Sequence, residues 1–348
     1  MTQAPSDSTR PRARPSRQRG RGWLIAVVAI VAVVAVPVVL NRVSVQPGAA
    51  MVRAAFEAGP AVTVGPDFDT AASAIDTQFD IPITVAGAPD ATIDIYSRPS
   101  ATDSPMILWV HGGGFLSGDS RQVGPYATML AAEGYVVASL DYSIAPAAKY
   151  PTPIQQGNAA LDYLEDNAPA LGGDSNIVFV GGDSAGAQIA SQLAAVQTNP
   201  ALAEAVGLTA ALQPGQLRGA VLFCGLYDMS TVGATGFPAL RTFLWSYTGY
   251  RDWLAGPVID QLSTTQQATA DYPPAFIGVG DTDPFQTQGF ELAAALKARG
   301  VDVTTQFWNG TGAGLGHEYQ FNFTLPEARE TFTNTLKFLS ANSGQDHS

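Results

Sequence analysis

Apolar and polar positions divide the chain into three regimes. From Trp23 to Leu40 eighteen residues run without a charge and are rich in Val, Ile and Ala. Residues 41–75 mix Ala, Gly and Pro and offer one short helical candidate, Ala49–Ala58. Beyond residue 76, short apolar runs recur at Ile107–Val110, Tyr135–Leu140, Ile177–Val180, Ala220–Phe223, Ala275–Val279 and Val301–Phe307. Their Val, Ile and aromatic content suits strands buried on both faces. Helical stretches lie between several of them: Tyr126–Ala132, Ile154–Asn167, Ala185–Gln197 and Gly289–Arg299, the last stopped by Gly300. A final helix is expected to open at Thr324-Leu-Pro-Glu327, a capping box with Pro in its first turn. Strands alternating with helices predict an α/β fold, a mostly parallel central sheet flanked by helices. The aromatic stretch 227–272 is too long for a plain crossover and reads as an insertion placed to cover a site.

The N-terminal regime changes the picture of where this domain resides. Eighteen helical residues at about 1.5 Å each span roughly 27 Å, enough for a hydrocarbon layer. Arg10, Arg12, Arg14, Arg17, Arg19 and Arg21 precede the span directly. The positive-inside bias therefore predicts a disordered basic cytoplasmic tail at 1–22 and a transmembrane signal anchor at 23–40. Residues 41–75 then form a linker or N-terminal cap, and 76–348 an exported catalytic domain. The competing reading is a cleaved signal peptide, with Gly48-Ala49-Ala50 as a weak cleavage site. The apolar core exceeds the usual 7–15 residues or so of such peptides, which favours the anchor.

Charge follows the same division. The first 40 residues balance at +5 and the remaining 308 at −17, for a net charge of −12. With three Lys in the chain and an acidic bulk, nucleic acid is not the expected partner. One cysteine, Cys224, permits neither an internal disulfide nor a Cys-based zinc cluster, and its apolar surroundings suggest an inert buried thiol.

Two motifs carry candidate chemistry. Gly182-Asp183-Ser184-Ala185-Gly186 follows the run Ile177–Val180 and opens a helix, the strand–turn–helix setting of a nucleophile elbow. His111-Gly112-Gly113-Gly114-Phe115 follows Ile107–Val110, and its glycines free adjacent N–H groups to converge on one point, as an oxyanion hole requires. A serine nucleophile needs a base. Of three histidines, His111 sits in the glycine motif and His347 near the C-terminus, which leaves His317, behind the glycine-rich loop Asn309–Gly316. That loop lacks dinucleotide-site spacing and reads as a mobile support. The base needs an orienting acid, and Asp281 and Asp283 both follow Ala275–Val279. Asp283 is favoured, because Asp281 can cap the turn by bonding backbone two residues on. The order Ser184, Asp283, His317 is that of α/β-hydrolases.

His111–Phe115, Gly182–Gly186, Asp283-Pro284-Phe285 and Leu140–Pro146 together resemble the hormone-sensitive-lipase-like esterases of the α/β-hydrolase fold, over roughly residues 76–340. The resemblance implies a carboxylesterase for small-molecule esters, with oxyanion donors on Gly113, Gly114 and Ala185. It also implies a cap, for which 41–75 and 227–272 are candidates. Ser143, Ala147, Phe285 and Thr287 depart from the family's usual residues. The expectation is a membrane-anchored serine carboxylesterase acting on short- to medium-chain acyl esters, with no metal or organic cofactor. A peptidase or lipase on the same triad, or a non-catalytic binding protein of this fold, are the alternatives.

Overall fold

The apolar runs pair into one eight-stranded sheet in a computed structural model, which describes residues 44–57 and 62–344 together with Met1. Its strands are β1 (Asp76–Ile83), β2 (Ala91–Ser97), β3 (Ser104–Val110), β4 (Val136–Asp141), β5 (Gly173–Asp183), β6 (Leu217–Phe223), β7 (Ala275–Val279) and β8 (Val303–Phe307). They lie in the order β1-β2-β4-β3-β5-β6-β7-β8. Pairings from β4 across to β8 are parallel, and β1 and β2 form an antiparallel edge. From Gly48 onward the chain is one compact unit.

The continuous apolar runs have a simple cause, since the central strands are covered on both faces. Along β3, Met106, Leu108 and Val110 join one core layer, with the helices Thr152–Leu171 and Ala185–Thr198. Ile107 and Trp109 join the other, with the helices Gly124–Ala132 and Pro326–Ser343. Each such side chain, taken out of water, stabilises by about 1.5–3 kcal/mol.

Three sequence expectations need correction or qualification. The edge strands β1 and β2 are not predicted, because exposed and half-buried positions interleave along β1, and polar residues, buried Asp94 among them, interrupt the apolar run of β2. The C-terminal helix starts at Pro326, one residue after an N-cap at Leu325 whose side chain makes no capping bond, and the Thr324 hydroxyl donates instead to Asn322 Oδ1 at 2.6 Å. The expected capping box is therefore not formed. The span 23–40 and the basic stretch before it lie outside the described residues, and so does His347. Among the described residues no helix is long and apolar enough to cross a membrane.

Candidate active site

β5 ends at Asp183 and the next helix starts at Ala185, which leaves Ser184 alone in the turn. Its φ of 51° and ψ of −117° lie where a non-glycine residue costs about 1–3 kcal/mol. The Ser184 N–H donates to Phe223 O at 2.8 Å and Ser184 O accepts from Gln188 N at 3.2 Å, so the turn is held from both sides. Gly186 is required here, because a Cβ would run into the carbonyl oxygens of Val110 and His111. The helix therefore sits tight against the end of β3, with its positive N-terminal field behind Ser184.

His317 reaches back to this turn from beyond β8. Its Nε2 lies 2.9 Å from Ser184 Oγ, and its Nδ1 lies 2.9 Å from Asp283 Oδ2. Asp283 is buried, and its other oxygen accepts the Phe285 N–H at 2.7 Å. Burial opposes a charge on the imidazole, but the Asp283 carboxylate on Nδ1 outweighs it and holds the His317 pKa well above the ordinary value. Asp281 has a different task from the one expected of it. Oδ1 accepts Leu315 N–H at 2.6 Å and Oδ2 accepts Gly314 N–H at 3.2 Å, more than thirty residues along rather than two. Desolvation opposes its ionisation, yet these donors keep its carboxyl below the usual range. It ties down the glycine-rich loop that carries His317.

Asp183 joins the two motifs. One carboxylate oxygen accepts the Trp109 indole N–H at 3.0 Å, and the other accepts Gly112 N–H at 2.8 Å. Burial pushes its carboxyl well above the usual range, and the nearby Glu318 adds to this. Gly113 and Gly114 follow with φ of 99° and 61°, and Ala185 sits buried as the first residue of its helix, where N–H groups have no intrahelical partner. His111 supports the loop from behind. Its ring stacks on Tyr142 at 4.3 Å, and Nδ1 is 2.8 Å from Gly112 O, so Nδ1 carries the proton. Burial lowers its pKa to about 4.

The walls come from Phe285 of the aspartate motif and from two rings of the insertion 227–272, which the sequence marked as a segment but not by residue. Phe237 and Phe285 stand edge-on to His317 at 5.2 and 5.4 Å, and Phe243 packs against Gly114. The Tyr247 ring in the insertion stacks on Phe115 at 3.9 Å and belongs to the core. A cavity of about 180 Å³ opens beside the oxyanion loop, lined by Phe56, Glu57, His111, Gly113, Asp183 and Glu318 among others. Cys224 is buried, accepts the Gln320 amide at 3.6 Å, and has its thiol pKa raised by burial. Its sulfur, Asp283 and His317 have ligand atoms within 4.8 Å of one another. Since Asp283 and Ser184 already engage both nitrogens of His317, a cation there would disrupt that hydrogen-bonded chain.

A family model described as the alpha/beta hydrolase fold matches residues 107–317, from β3 to His317. The chain is similar to esterase LipI of Mycobacterium tuberculosis, 27% identical over 270 residues, 75% of this chain and 79% of that protein. It is also similar to carboxylesterase NlhH of the same species, 30% identical over 236 residues, 62% of this chain and 68% of that protein. Among solved structures, esterase B from Lactobacillus rhamnosis (HN001) shares the fold with a TM-score of 0.70 at 24% identity, over 89% of this chain and 96% of that one.

Proposed function

We propose that this chain, which belongs to the hormone-sensitive-lipase-like esterases of the α/β-hydrolase fold family, cleaves carboxylic esters through Ser184, His317 and Asp283. As a member of that family it is a carboxylic ester hydrolase. The observation that supports this route is the continuous chain of two 2.9 Å contacts from Ser184 Oγ through His317 to Asp283.

In this mechanism Ser184 Oγ attacks the ester carbonyl carbon while His317 Nε2 takes its proton. Asp283 keeps the other proton on Nδ1 and stabilises the imidazolium that forms. The developing oxyanion is met by the N–H groups of Gly113, Gly114 and Ala185, each a donor of the kind worth about 2.7–4 kcal/mol. The imidazolium then protonates the departing alcohol. A water activated by the same imidazole hydrolyses the acyl-enzyme and restores Ser184.

Two elements are proposed as the cap. The helix Gln46–Glu57 carries Arg53, whose guanidinium donates to Leu116 O at 2.7 Å and Ala145 O at 3.1 Å. Phe56 on that helix meets Phe243 of the insertion edge-on at 5.5 Å. The span 23–40 is proposed to anchor this domain on the exported side of a membrane.

One experiment addresses these readings together. The full-length chain and residues 41–348 are expressed, and membrane and soluble fractions are assayed with p-nitrophenyl esters from acetate to palmitate. Turnover should peak at short to medium acyl chains, fall by palmitate, and sediment with membranes only for the full-length chain. Ser184→Ala should cost roughly 10⁴-fold or more in kcat. Equal turnover by that variant would refute the mechanism, and full-length activity that stays soluble would refute the anchor.

A further inference from the structure

Three carboxyl groups border the cavity beside the oxyanion loop, and no Lys or Arg among the described residues lines it; Asp183 is committed to Trp109 and Gly112, which leaves Glu57 and Glu318. Glu57 approaches on the N-terminal helix and Glu318 directly follows the base. Among the described residues neither side chain has a hydrogen-bond donor. The nearest cationic side chain on the same helix, Arg53, is committed to the carbonyls of Leu116 and Ala145. Glu318 is held in the left-handed region at φ 58°, uncommon for a residue with a side chain. Its Oε1 lies 3.8 Å from His317 Nε2 and stands 2.9 Å from where a Cβ on Gly112 would be. The carboxylate thus presses against the loop at the edge of the reacting atoms.

His111 belongs to the same lining. His111 is 1% exposed and spends its Nδ1–H on Gly112 O, so its Nε2 is a bare acceptor, buried and without a partner among the described residues. The two free carboxylates give this lining a net negative charge, and the buried, neutral His111 ring in the same lining supplies no positive charge to offset it. Phe56 and Phe321 add rings to the same lining, and aromatic faces attract cations. An anionic ligand would be repelled here, and a neutral one would leave the carboxylates uncompensated on desolvation.

We propose that the esters this site prefers carry a positive charge on the alcohol portion, an alkylammonium group held between Glu318 and Glu57. The alcohol side follows from position, because Glu318 flanks Nε2, the atom that protonates the departing alcohol. This inference rests on the Ser184–His317 mechanism above.

The test compares choline butyrate with 3,3-dimethylbutyl butyrate, which differ by one charged nitrogen in place of carbon, using the full-length chain at low ionic strength. The ratio of kcat/KM, cationic over neutral, should exceed about tenfold, equivalent to about 1.4 kcal/mol. Added salt should lower it, since charges open to solvent are screened. Glu318→Gln and Glu57→Gln should each bring it several-fold closer to one. The neutral ester reports on the integrity of each variant within the same ratio. A ratio near one in the wild type, or one that survives Glu318→Gln, overturns the inference while leaving the esterase reading intact. Failure to hydrolyse either ester overturns both.

Discussion

Ser184 and His317 are held in opposed ways, and the difference sets how each responds to change. Ser184 is fixed by backbone, through a turn that only its glycine neighbours allow. That requirement is local, which is why five consecutive residues announce it. His317 is fixed by side chains from distant segments, Asp283 on its ring and Asp281 on its loop. Asp283 is favoured for the ring from sequence because Asp281 can cap a turn, but that Asp281 instead holds the loop carrying His317 appears only in three dimensions. Glu318 carries no pattern at all. The electrostatics at His317 predict a pH response. A general base works only when neutral, and this imidazole is held above its ordinary value of about 6.5. Activity should therefore be lost as pH falls through a midpoint above about 6.5 in the kcat/KM profile. Asp283→Asn removes a carboxylate that favours the imidazolium, so it should lower the midpoint as well as the rate. Asp281→Asn should move it far less. A midpoint that shifts with Asp281 and ignores Asp283 would reverse the assignment.

At the scale of elements, legibility tracked unbroken apolar runs. The parallel strands β3 to β8 are covered by helices, so most of them read as unbroken apolar runs, and the expected and observed bounds of β7 coincide. The antiparallel edge carried no such signal, and β2 even buries Asp94 behind the Ser120 hydroxyl at 2.6 Å. The helix Gln46–Glu57 was legible as a short candidate, whereas its attachment was not, because Arg53 bonds carbonyl oxygens 63 and 92 residues away. Arg53→Ala should loosen this helix selectively, since bonds from a charged donor are worth about 1.5–3 kcal/mol each. Amide hydrogen exchange over residues 46–57 should accelerate at least tenfold while the protection of β3 and β5 holds. Unchanged exchange there would mean the helix is secured by its apolar contacts alone.

The whole molecule joins a basic N-terminal arm to an acidic domain, and the net charge of −12 describes neither. In the domain, the carboxyl ends of β3, β5 and β7 converge, as open α/β sheets place their sites. The order of the sheet brings Ser184, Asp283 and His317 together from positions 99 and 133 residues after the first. The sequence motifs could indicate that such a meeting was required; only the sheet order accomplishes it. The central claim is that Ser184 is a nucleophile activated by His317, and covalent capture tests it most directly. The full-length chain is treated with a fluorophosphonate, and the intact mass and peptide map are recorded over time. The account predicts one phosphonyl group per chain, located on Ser184, abolished by Ser184→Ala and formed far more slowly in His317→Ala. A label on another residue, or equal labelling of the Ser184→Ala protein, would contradict it.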